Sequence, residues 1–501
     1  MTKKLLISEK FQEKKIFCME NNQIIDFFFQ PADYKNSMKF SEGSIYKGKV
    51  VKILEGLDAS FIDIGQGKAV FVHAIDLYKP NKEEMKSFSL EVTKKQYSVA
   101  DDVSRVSEEL KKLKQYIKPI AHYIQLNQEV LVQIDKEPIS TKGPKGTGHI
   151  SFIGKYIILY PNLGISYISD RISSLEERIR LKSLITSFAY NDYGYIIKNN
   201  AQDVSLDLLQ QDYFSLVEDW KRVQKAFDDK EKTLLYKGDS FVEKTIKEYS
   251  SFEIYTDSKN VLKELKKRYP VTFLESEEMF EKFELRPFLN NLLKSHIVSP
   301  TGVSINIEQT EALVSIDVNS GKFFKKTTKE TIFETNKEAA LMIADNLKWR
   351  NLGGLIVVDF IDMDDPLERK ELERLFYEKI QEDRSKVSFL PISEYGLMQI
   401  IRKRKSDNFY RMTTQVCLAC QGNGFVKNFE YLSQEVLEKL STLLTNSSKN
   451  LEVRLSSNLY YYFIKKKKNF LEKLEKKFSA KMTITLDSAL CFDSFFIDKK
   501  E

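Results

Sequence analysis

Two strand-like segments, each reaching an aspartate and separated by a helical stretch, constrain the fold of this chain most strongly. The segments are residues 312–319 and 355–359, and residues 329–349 between them have a helical pattern that ends before Gly353-Gly354. A strand–helix–strand order predicts a right-handed crossover that leaves the two strands parallel in one sheet. We therefore predict an α/β region from about residue 300 onward.

The polar residues of these two segments indicate a site. Side chains alternate along a strand, so Ser315, Asp317 and Asn319 share one face. Asp359 ends the second strand, and parallel strands place their carboxyl ends at the same edge, where open α/β sheets bind ligands. Two carboxylates and an amide oxygen suit Mg²⁺. The alternative is that Asp317 and Asn319 only end a strand and cap a turn.

The second segment also predicts its own surroundings. Leu355-Ile356-Val357-Val358 is a continuous apolar run. Such a run is typical of a strand that is buried on both faces of a parallel sheet. We therefore expect this strand to be covered on both sides.

Short strands with glycines at the corners predict a small barrel in the first third of the chain. Phe61 and Phe71 lie on adjacent strands of this barrel, where exposed aromatic rings could stack on unpaired bases. The alternative is that both rings belong to the core. The expected barrel strands lie within residues 43–53, 59–65, 69–72 and 129–136, and the lysines expected to contact phosphates are Lys47, Lys49, Lys68 and Lys142.

The pair Cys417 and Cys420 stands before a Gly-x-Gly turn, which argues against a redox motif at the start of a helix. The spacing suits Zn²⁺, but a structural zinc site needs four ligands and only two are local. The same pair from a second chain would complete the site and would make the metal a clasp between two protomers. An unmetallated turn is the alternative.

Composition adds little about partners, because the net charge of +6 is small for 501 residues and leaves local clustering to identify a polyanion site. Four cysteines fit a reducing compartment. The sequence has neither a signal-peptide pattern nor an apolar run long enough to cross a membrane. We therefore expect a soluble, cytoplasmic protein.

Four stretches together resemble the ribonuclease E/G family, and the length is close to that of its ribonuclease G branch. The resemblance covers roughly residues 1–430. The stretches that carry it are Ile45–Lys49, Val132–Glu137, Gln309–Ser320 and Asn351–Met363.

The resemblance implies a Mg²⁺-dependent endoribonuclease that cuts single-stranded, A/U-rich RNA in rRNA processing and mRNA decay, leaving 5′-phosphate and 3′-hydroxyl ends. It also implies a homodimer or higher homo-oligomer joined by shared Zn²⁺. The implied catalytic residues are Asp317, Asn319 and Asp359, with Mg²⁺ on the two aspartates. The implied RNA-stacking residues are Phe61 and Phe71, with Lys142 as the basic partner, and the implied zinc ligands are Cys417 and Cys420.

The implied fold is a mixed α+β and α/β multidomain protein. An S1-type OB barrel is inserted in an RNase H-like fold, and a DNase I-like α/β catalytic subdomain, a zinc-link and a small C-terminal domain follow. The expected boundaries are 1–40 and 227–288 for the RNase H-like parts, 41–148 for the barrel with its insertion, 149–226 for a 5′-sensor-like region, 289–413 for the catalytic subdomain, 414–426 for the zinc-link and 427–501 for the C-terminal domain.

The chain departs from the family at the 5′-phosphate sensor. The family has an Arg-Thr pair where this chain has Lys198-Asn199, and a second sensor arginine falls on Lys386. Lysine offers a point charge instead of a planar fork of donors, so phosphate attraction can survive while end discrimination weakens. Both lysines could equally be surface charges.

Two other functions compete with RNA hydrolysis. One is a non-catalytic S1-type RNA-binding or ribosome-maturation factor, which the intact Asp317, Asn319 and Asp359 disfavour. The other is a DNA nuclease. Cleavage of RNA and of single-stranded DNA, with Mg²⁺ and with EDTA, discriminates among the three.

Overall fold

The structure is a computed structural model, and it divides into two units, Met1–Met412 and Thr413–Glu501, which are described one after the other. The residues that it describes are 3–32, 40–80, 97–99, 110–111, 114–137, 143–172, 174–229, 231–249, 252–266, 268–325, 327–404, 407–446 and 450–499.

The elements are numbered in chain order. The strands are β1 (Lys3–Lys10), β2 (Glu13–Glu20), β3 (Gln23–Gln30), β4 (Ile45–Leu54), β5 (Ala59–Asp63), β6 (Val70–His73), β7 (Tyr97–Val99), β8 (Glu129–Lys136), β9 (Lys145–Thr147), β10 (Phe152–Ile153), β11 (Ile157–Tyr160), β12 (Ser166–Ile168), β13 (Gly194–Ile197), β14 (Leu234–Tyr236), β15 (Glu253–Thr256), β16 (Val271–Phe273), β17 (His296–Val298), β18 (Ser304–Gln309), β19 (Leu313–Asn319), β20 (Gly354–Asp359), β21 (Val387–Phe389), β22 (Leu397–Arg402), β23 (Asn450–Leu455), β24 (Lys481–Leu486) and β25 (Phe495–Lys499).

The helices are α1 (Leu175–Thr186), α2 (Leu206–Phe227), α3 (Phe241–Glu248), α4 (Lys259–Leu265), α5 (Ser276–Lys282), α6 (Leu285–Leu292), α7 (Thr328–Trp349), α8 (Pro366–Ile380), α9 (Phe409–Thr413), α10 (Phe429–Thr445) and α11 (Ser457–Phe478).

The first unit contains a closed barrel. Strands β4, β5, β6, β9 and β8 form a continuous ladder, and a β4–β8 pairing closes it. Inward-facing aliphatic side chains such as Ile62, Val70 and Val132 fill its core. Gly48 must lack a side chain, because a Cβ there would lie 2.5 Å from Ile62. The predicted barrel strands are therefore present.

Two further sheets flank the barrel in sequence. Strands β1–β3 pair in an antiparallel meander, and β15 and β16 extend that sheet in parallel, in the order β16-β15-β1-β2-β3. Residues 3–30 and 253–273 therefore share one sheet, although the barrel separates them in sequence. A four-stranded sheet, β10-β11-β13-β12, packs its apolar side chains against those of α1 and α2.

The sheet that carries the predicted site has the order β17-β18-β19-β20-β22-β21-β7. Only β19 and β20 pair in parallel, and the connection between them is α7, as predicted from the strand–helix–strand pattern. Helix α7 starts where the side chain of Thr327 accepts a hydrogen bond from the amide of Glu330, which is the expected N-cap geometry. Helices α7 and α8 pack on one face of the sheet.

The expectation that β20 is buried on both faces is wrong. Its inward residues Ile356 and Val358 are fully buried, but Leu355 on the opposite face is 40% exposed and Val357 is half-buried. The reason is the mixed topology: the strands beside the β19–β20 pair run antiparallel, and both covering helices lie on one side. The other face of the sheet is open around the predicted site.

The second unit is small and has its own core. Strand β23 is central, parallel to β24 and antiparallel to β25, and α10 and α11 contribute apolar side chains to the same core. The chain as a whole is therefore a mixed α/β multidomain protein. Among the helices of the described residues, none combines the length and the apolar character that crossing a bilayer requires.

Candidate functional site

Asp317 and Asp359 lie directly opposite one another on the parallel strands β19 and β20. Neighbouring strands are about 4.8 Å apart, so two side chains in register on one face are close neighbours. Both aspartates are exposed on the open face, while Val314, Ile316 and Val318 point into the core. The alternation of β19 is therefore the one predicted from the sequence.

Asn319 lies on the same face, two residues beyond Asp317. Its side-chain amide donates a hydrogen bond of 2.6 Å to Asp317 Oδ2. This bond orients the Asp317 carboxylate through the amide nitrogen of Asn319, so the amide oxygen of Asn319 is not used by it and can accept from a ligand. The three residues thus form one polar cluster with oxygen acceptors on an exposed surface.

Two interactions hold the segment that follows Asp359. Fully buried Asn336 on α7 donates to the carbonyl of Ile361 at 2.7 Å and accepts from the amide of Ile361 at 3.1 Å. The amide of Phe360 donates to the carbonyl of Gly396 at 3.2 Å, and Gly396 has φ +73° with no room for a side chain, since a Cβ would lie 2.6 Å from the carbonyl oxygen of Phe360. These contacts position the end of β20 with little freedom, and sequence reasoning did not identify either residue.

The row of side chains extends beyond the acid pair. Asn306 on β18 lies opposite Asp317, and His296 on β17 lies opposite Asn306. The open face therefore carries His296, Asn306, Asp317 and Asp359 in register on four adjacent strands. Sequence reasoning missed His296 and Asn306, because only the strand register places them beside the acids.

The donor set of this cluster fits Mg²⁺. Mg²⁺ uses one or two protein carboxylates and completes its octahedron with water and substrate phosphate, so an exposed aspartate pair suits it better than a closed cage does. In the described residues, no group of three or more His, Cys, Asp and Glu is arranged to hold a metal. Asp365 serves the fold instead, because it caps α8 and pairs with Lys329 at 3.1 Å.

The barrel presents a second candidate surface. Phe61 and Phe71 are opposite one another on β5 and β6, with ring centroids 5.5 Å apart, and both rings are half-buried. The barrel core is built from other residues, so the alternative that both rings are core residues does not hold. The two rings belong to a row of cross-strand neighbours on four barrel strands. In this row Lys52 on β4 lies opposite Phe61, and Lys145 on β9 lies opposite Phe71.

The flanking lysines of this row differ in their surroundings. Lys52 is exposed. Lys145 pairs with Asp76 at 3.0 Å and Asp135 at 3.5 Å. Burial alone would lower the pKa of Lys145, but the two carboxylates outweigh it and raise the pKa. The ammonium of Lys145 is therefore charged at neutral pH. Neither lysine was singled out from the sequence as a partner of the rings.

Lys47 does not fit the predicted role of a phosphate ligand. Its side chain is 10% exposed, and its ammonium pairs with Glu129 at 3.2 Å and donates to the carbonyl of Phe227 at 3.0 Å. These contacts join the barrel to the end of α2. Lys142, the other expected basic partner, lies outside the described residues.

The expected 5′-phosphate sensor is also arranged differently. Lys198 is 8% exposed, and its ammonium donates to the carbonyls of Gly154 at 3.1 Å and Lys247 at 2.8 Å. This geometry does not fit an open phosphate ligand. Asn199 is exposed, and Lys386 is half-buried just before β21.

Cys417 and Cys420 lie in turns of the second unit. The amide of Gln421 donates to the carbonyl of Cys417 at 2.7 Å, so the chain turns tightly around the pair. Backbone amides of Cys420 and Ala419, together with the Cys420 thiol, lower the pKa of the exposed Cys417 thiol. Such a thiol deprotonates more readily, which suits a metal ligand. One chain supplies two thiols, which is half of a structural zinc site.

The sequence is similar to known proteins over most of its length. Residues 151–405 match the model of the Ribonuclease E/G family, and residues 416–500 match that of the RNase E/G, thioredoxin-like domain. The chain is 32% identical to ribonuclease E of Synechocystis over 89% of this chain and 63% of that protein. It is 28% identical to ribonuclease G of Haemophilus influenzae over 79% of each chain, and 28% identical to ribonuclease G of Escherichia coli over 88% of each.

Proposed function

The chain belongs to the ribonuclease E/G family of endoribonucleases, and we propose that it hydrolyses single-stranded RNA at the cluster of Asp317, Asn319 and Asp359, with Mg²⁺ as the cofactor. The observation that supports this proposal most strongly is the register of the two aspartates on the open face of the sheet. The expected products have 5′-phosphate and 3′-hydroxyl ends.

The chain's own residues prepare the site for a phosphodiester. Asp317 and Asp359 supply the negative charge that retains Mg²⁺, and Asn319 orients Asp317 through its hydrogen bond. When bound, Mg²⁺ would polarise the phosphodiester and lower the pKa of a coordinated water. Asn336 and Gly396 keep the end of β20 in place, so that Asp359 does not need to reorganise when substrate arrives.

The open face sets the approach of the substrate. His296 and Asn306 extend the acid row across two further strands, and both are able to donate hydrogen bonds to phosphate or sugar oxygens beside the cleaved bond. A shallow exposed row fits an extended single strand. A/U-rich segments pair weakly, so they are the segments that most often offer such a strand.

The barrel is the proposed capture surface for the RNA. Stacking on an aromatic ring contributes about 1–3 kcal/mol per base. Phe61 and Phe71 offer two neighbouring rings, and the exposed Lys52 lies beside Phe61, whereas Lys145 beside Phe71 is already paired with Asp76 and Asp135. We propose that unpaired bases stack here while Lys52 contacts a phosphate.

Replacing both rings tests this capture role. The double variant Phe61→Leu and Phe71→Leu keeps the apolar bulk of the barrel surface but removes both stacking faces. We expect RNA affinity to fall about tenfold or more, as measured by fluorescence anisotropy with a labelled single-stranded RNA in EDTA. Phe11→Leu, which alters a ring that is 95% exposed at the β1–β2 turn, is the matched control and should bind as the wild type does. Equal affinity of all three proteins would contradict the capture role.

The domain assignment follows from the same proposal. We propose that the sheet shared by residues 3–30 and 253–273 is an RNase H-like fold split around an S1-type barrel. The sheet with the acid pair would then be a DNase I-like catalytic subdomain. The cellular processes proposed for this enzyme are rRNA processing and mRNA decay in the cytoplasm.

We also propose that Cys417 and Cys420 of two protomers share one Zn²⁺. The half-site in one chain and the lowered pKa of Cys417 support this proposal. A clasp of this kind makes the protein a homodimer or a higher homo-oligomer.

Removing one thiol should therefore change both metal content and mass. We expect half an equivalent of zinc per wild-type chain, because four ligands come from two chains. Cys417→Ser should lose the zinc and shift the protein toward monomers in light scattering. Cys491→Ser, which removes an exposed cysteine elsewhere in the same unit, should change neither quantity. Zinc-free wild-type protein with the same mass as Cys417→Ser would contradict the clasp.

A further inference from the structure

One helix of this chain carries a large local excess of positive over negative charge. Helix α11 carries seven lysines and two glutamates, a net charge of +5, while the formal net charge of all 501 residues is +6. The other residues of the chain are thus almost balanced. Such local concentration attracts polyanions, even though the total charge of the protein is modest.

The inner side of α11 explains why the lysines point outward. Leu459, Phe463 and Leu471 are spaced by four or eight residues and pack in the core of the second unit. Lys467 lies on the same side and is 8% exposed, where its ammonium pairs with Glu430. The apolar side of the helix is therefore already covered by α10 and the sheet.

The outer side is basic and is interrupted by aromatic rings. Its six lysines are exposed, and none of them forms a salt bridge with a residue that the structure describes. Phe470 is 51% exposed and Tyr461 is 66% exposed on the same helix. The six lysines are Lys465, Lys466, Lys468, Lys473, Lys476 and Lys477.

Four of these outer residues form one line along the helix. Lys466, Phe470, Lys473 and Lys477 are separated by four, three and four residues, which places them on one helical face. At a rise of 1.5 Å per residue the line is about 16 Å long. The ammonium of Lys473 lies 5.7 Å from the ring centroid of Phe470. An exposed ring between exposed lysines that form no salt bridge with a described residue is an arrangement suited to single-stranded nucleic acid, which offers both bases and phosphates.

We propose that the outer side of α11 is a second RNA-binding surface, in which Lys466, Lys473 and Lys477 contact backbone phosphates and a base stacks on Phe470. The inference rests on the proposed function for its choice of RNA as the polyanion. A membrane surface fits less well, because an interfacial helix must insert its apolar side and that side of α11 is buried in the core. RNA matches both the lysines and the exposed ring of Phe470, since it supplies phosphates and flat bases together.

The test measures RNA binding by the full chain without cleavage. Fluorescence anisotropy is recorded in EDTA with a labelled single-stranded RNA of about 20 nucleotides over a range of salt concentrations. The patch variant is Lys466→Gln, Lys473→Gln and Lys477→Gln. The matched control is Lys259→Gln, Lys263→Gln and Lys266→Gln, which removes three exposed lysines at helix α4 of the first unit.

We expect the patch variant to bind about tenfold to a hundredfold more weakly at 0.1 M salt, and its salt slope to fall by about 2, because each lost phosphate contact removes about 0.7 from the slope. Phe470→Leu should weaken binding while the salt slope stays unchanged. The control triple variant should match the wild type in both quantities.

Three results would overturn the inference. The first is that the patch variant binds RNA with the affinity and salt slope of the wild type. The second is that the control triple variant loses as much RNA affinity as the patch variant does. The third is that the patch variant loses binding to phosphatidylserine vesicles but keeps its RNA affinity. Unchanged circular dichroism of the second-unit variants excludes misfolding as the cause of a loss. Binding is measured in EDTA and therefore does not depend on cleavage. If the wild type binds RNA through α11 but does not cut RNA in Mg²⁺, the proposed hydrolysis is contradicted and the inference about α11 stands.

Discussion

Asp359→Asn should lower the rate of RNA cleavage about a thousandfold or more, while the affinity for RNA stays near that of the wild type. The substitution keeps the shape of the side chain and removes one of the two charges that would hold Mg²⁺ in the proposed site. A metal that polarises a phosphodiester contributes several kcal/mol to the transition state, and each 1.36 kcal/mol is a factor of ten in rate. The measurement is cleavage of a short 5′-phosphorylated A/U-rich RNA in Mg²⁺.

Matched variants separate the site from a general effect of charge. Asp317→Asn should resemble Asp359→Asn, because the two aspartates lie opposite one another. Asp364→Asn removes an exposed aspartate of the following loop and should cut at the wild-type rate. Wild-type rates in both catalytic variants would refute the assignment. RNA binding without cleavage by the wild type would favour a non-catalytic RNA-binding factor, and equal cleavage of single-stranded DNA would favour a less selective nuclease.

Asp383→Asn should loosen the sheet that carries the candidate site more than any surface substitution. Asp383 accepts two hydrogen bonds from the fully buried guanidinium of Arg402, at 2.8 and 3.0 Å. Removing one partner of a buried pair leaves a charge without compensation, at a cost of about 3–5 kcal/mol. Arg402 ends β22, directly opposite Gly354 at the start of β20. Hydrogen exchange of the β22 amides should therefore become a hundredfold faster or more.

An exposed pair provides the control for this effect. Arg374 makes the same two-bond contact with Glu371, but both side chains are exposed and solvent screens their attraction, so Glu371→Gln should leave the stability of the fold nearly unchanged. Exchange in β22 should not change in that variant. Similar exchange rates in Asp383→Asn and the wild type would show that the buried pair does not hold the sheet.

The stability that the Asp383–Arg402 pair contributes should depend on pH, and the direction of that dependence follows from the pKa of Asp383. Burial alone would raise the pKa of Asp383, but Arg402 outweighs it, and the pKa is lowered. A carboxyl whose pKa is lower in the folded state contributes stability above its ordinary pKa and loses that contribution as pH falls through the folded pKa. The difference in β22 hydrogen-exchange rate between the wild type and Asp383→Asn should therefore be largest at neutral pH. It should shrink in acid, below the ordinary aspartate range near pH 4.

The parts of the fold that the sequence predicts well are those that local periodicity determines. The alternation of β19 placed Asp317 and Asn319 on one face, and the helix α7 between two strands required β19 and β20 to be parallel. The placement of Asp317, Asn319 and Asp359 on one face follows from these two facts. The barrel strands were predictable for the same reason, since glycine corners and short apolar runs are local signals.

The expectations that the structure does not favour depend on contacts between segments that are distant in sequence. Lys47 pairs with Glu129 and the carbonyl of Phe227, and Lys198 is bound by two carbonyls, none of which is a neighbour in the chain. The open face of β20 depends on the order of seven strands, which the apolar run of one strand does not encode. The partners of Phe61 and Phe71 required the register of four strands.

Binding of Mn²⁺, a spectroscopic substitute for Mg²⁺, tests the central claim most directly. Electron paramagnetic resonance counts the ions that the wild type and the double variant Asp317→Asn and Asp359→Asn retain. The account predicts that the wild type binds at least one more Mn²⁺ than the double variant does, at matched protein concentration. Equal numbers in the two proteins would contradict it, because the aspartate pair would then not be a metal site.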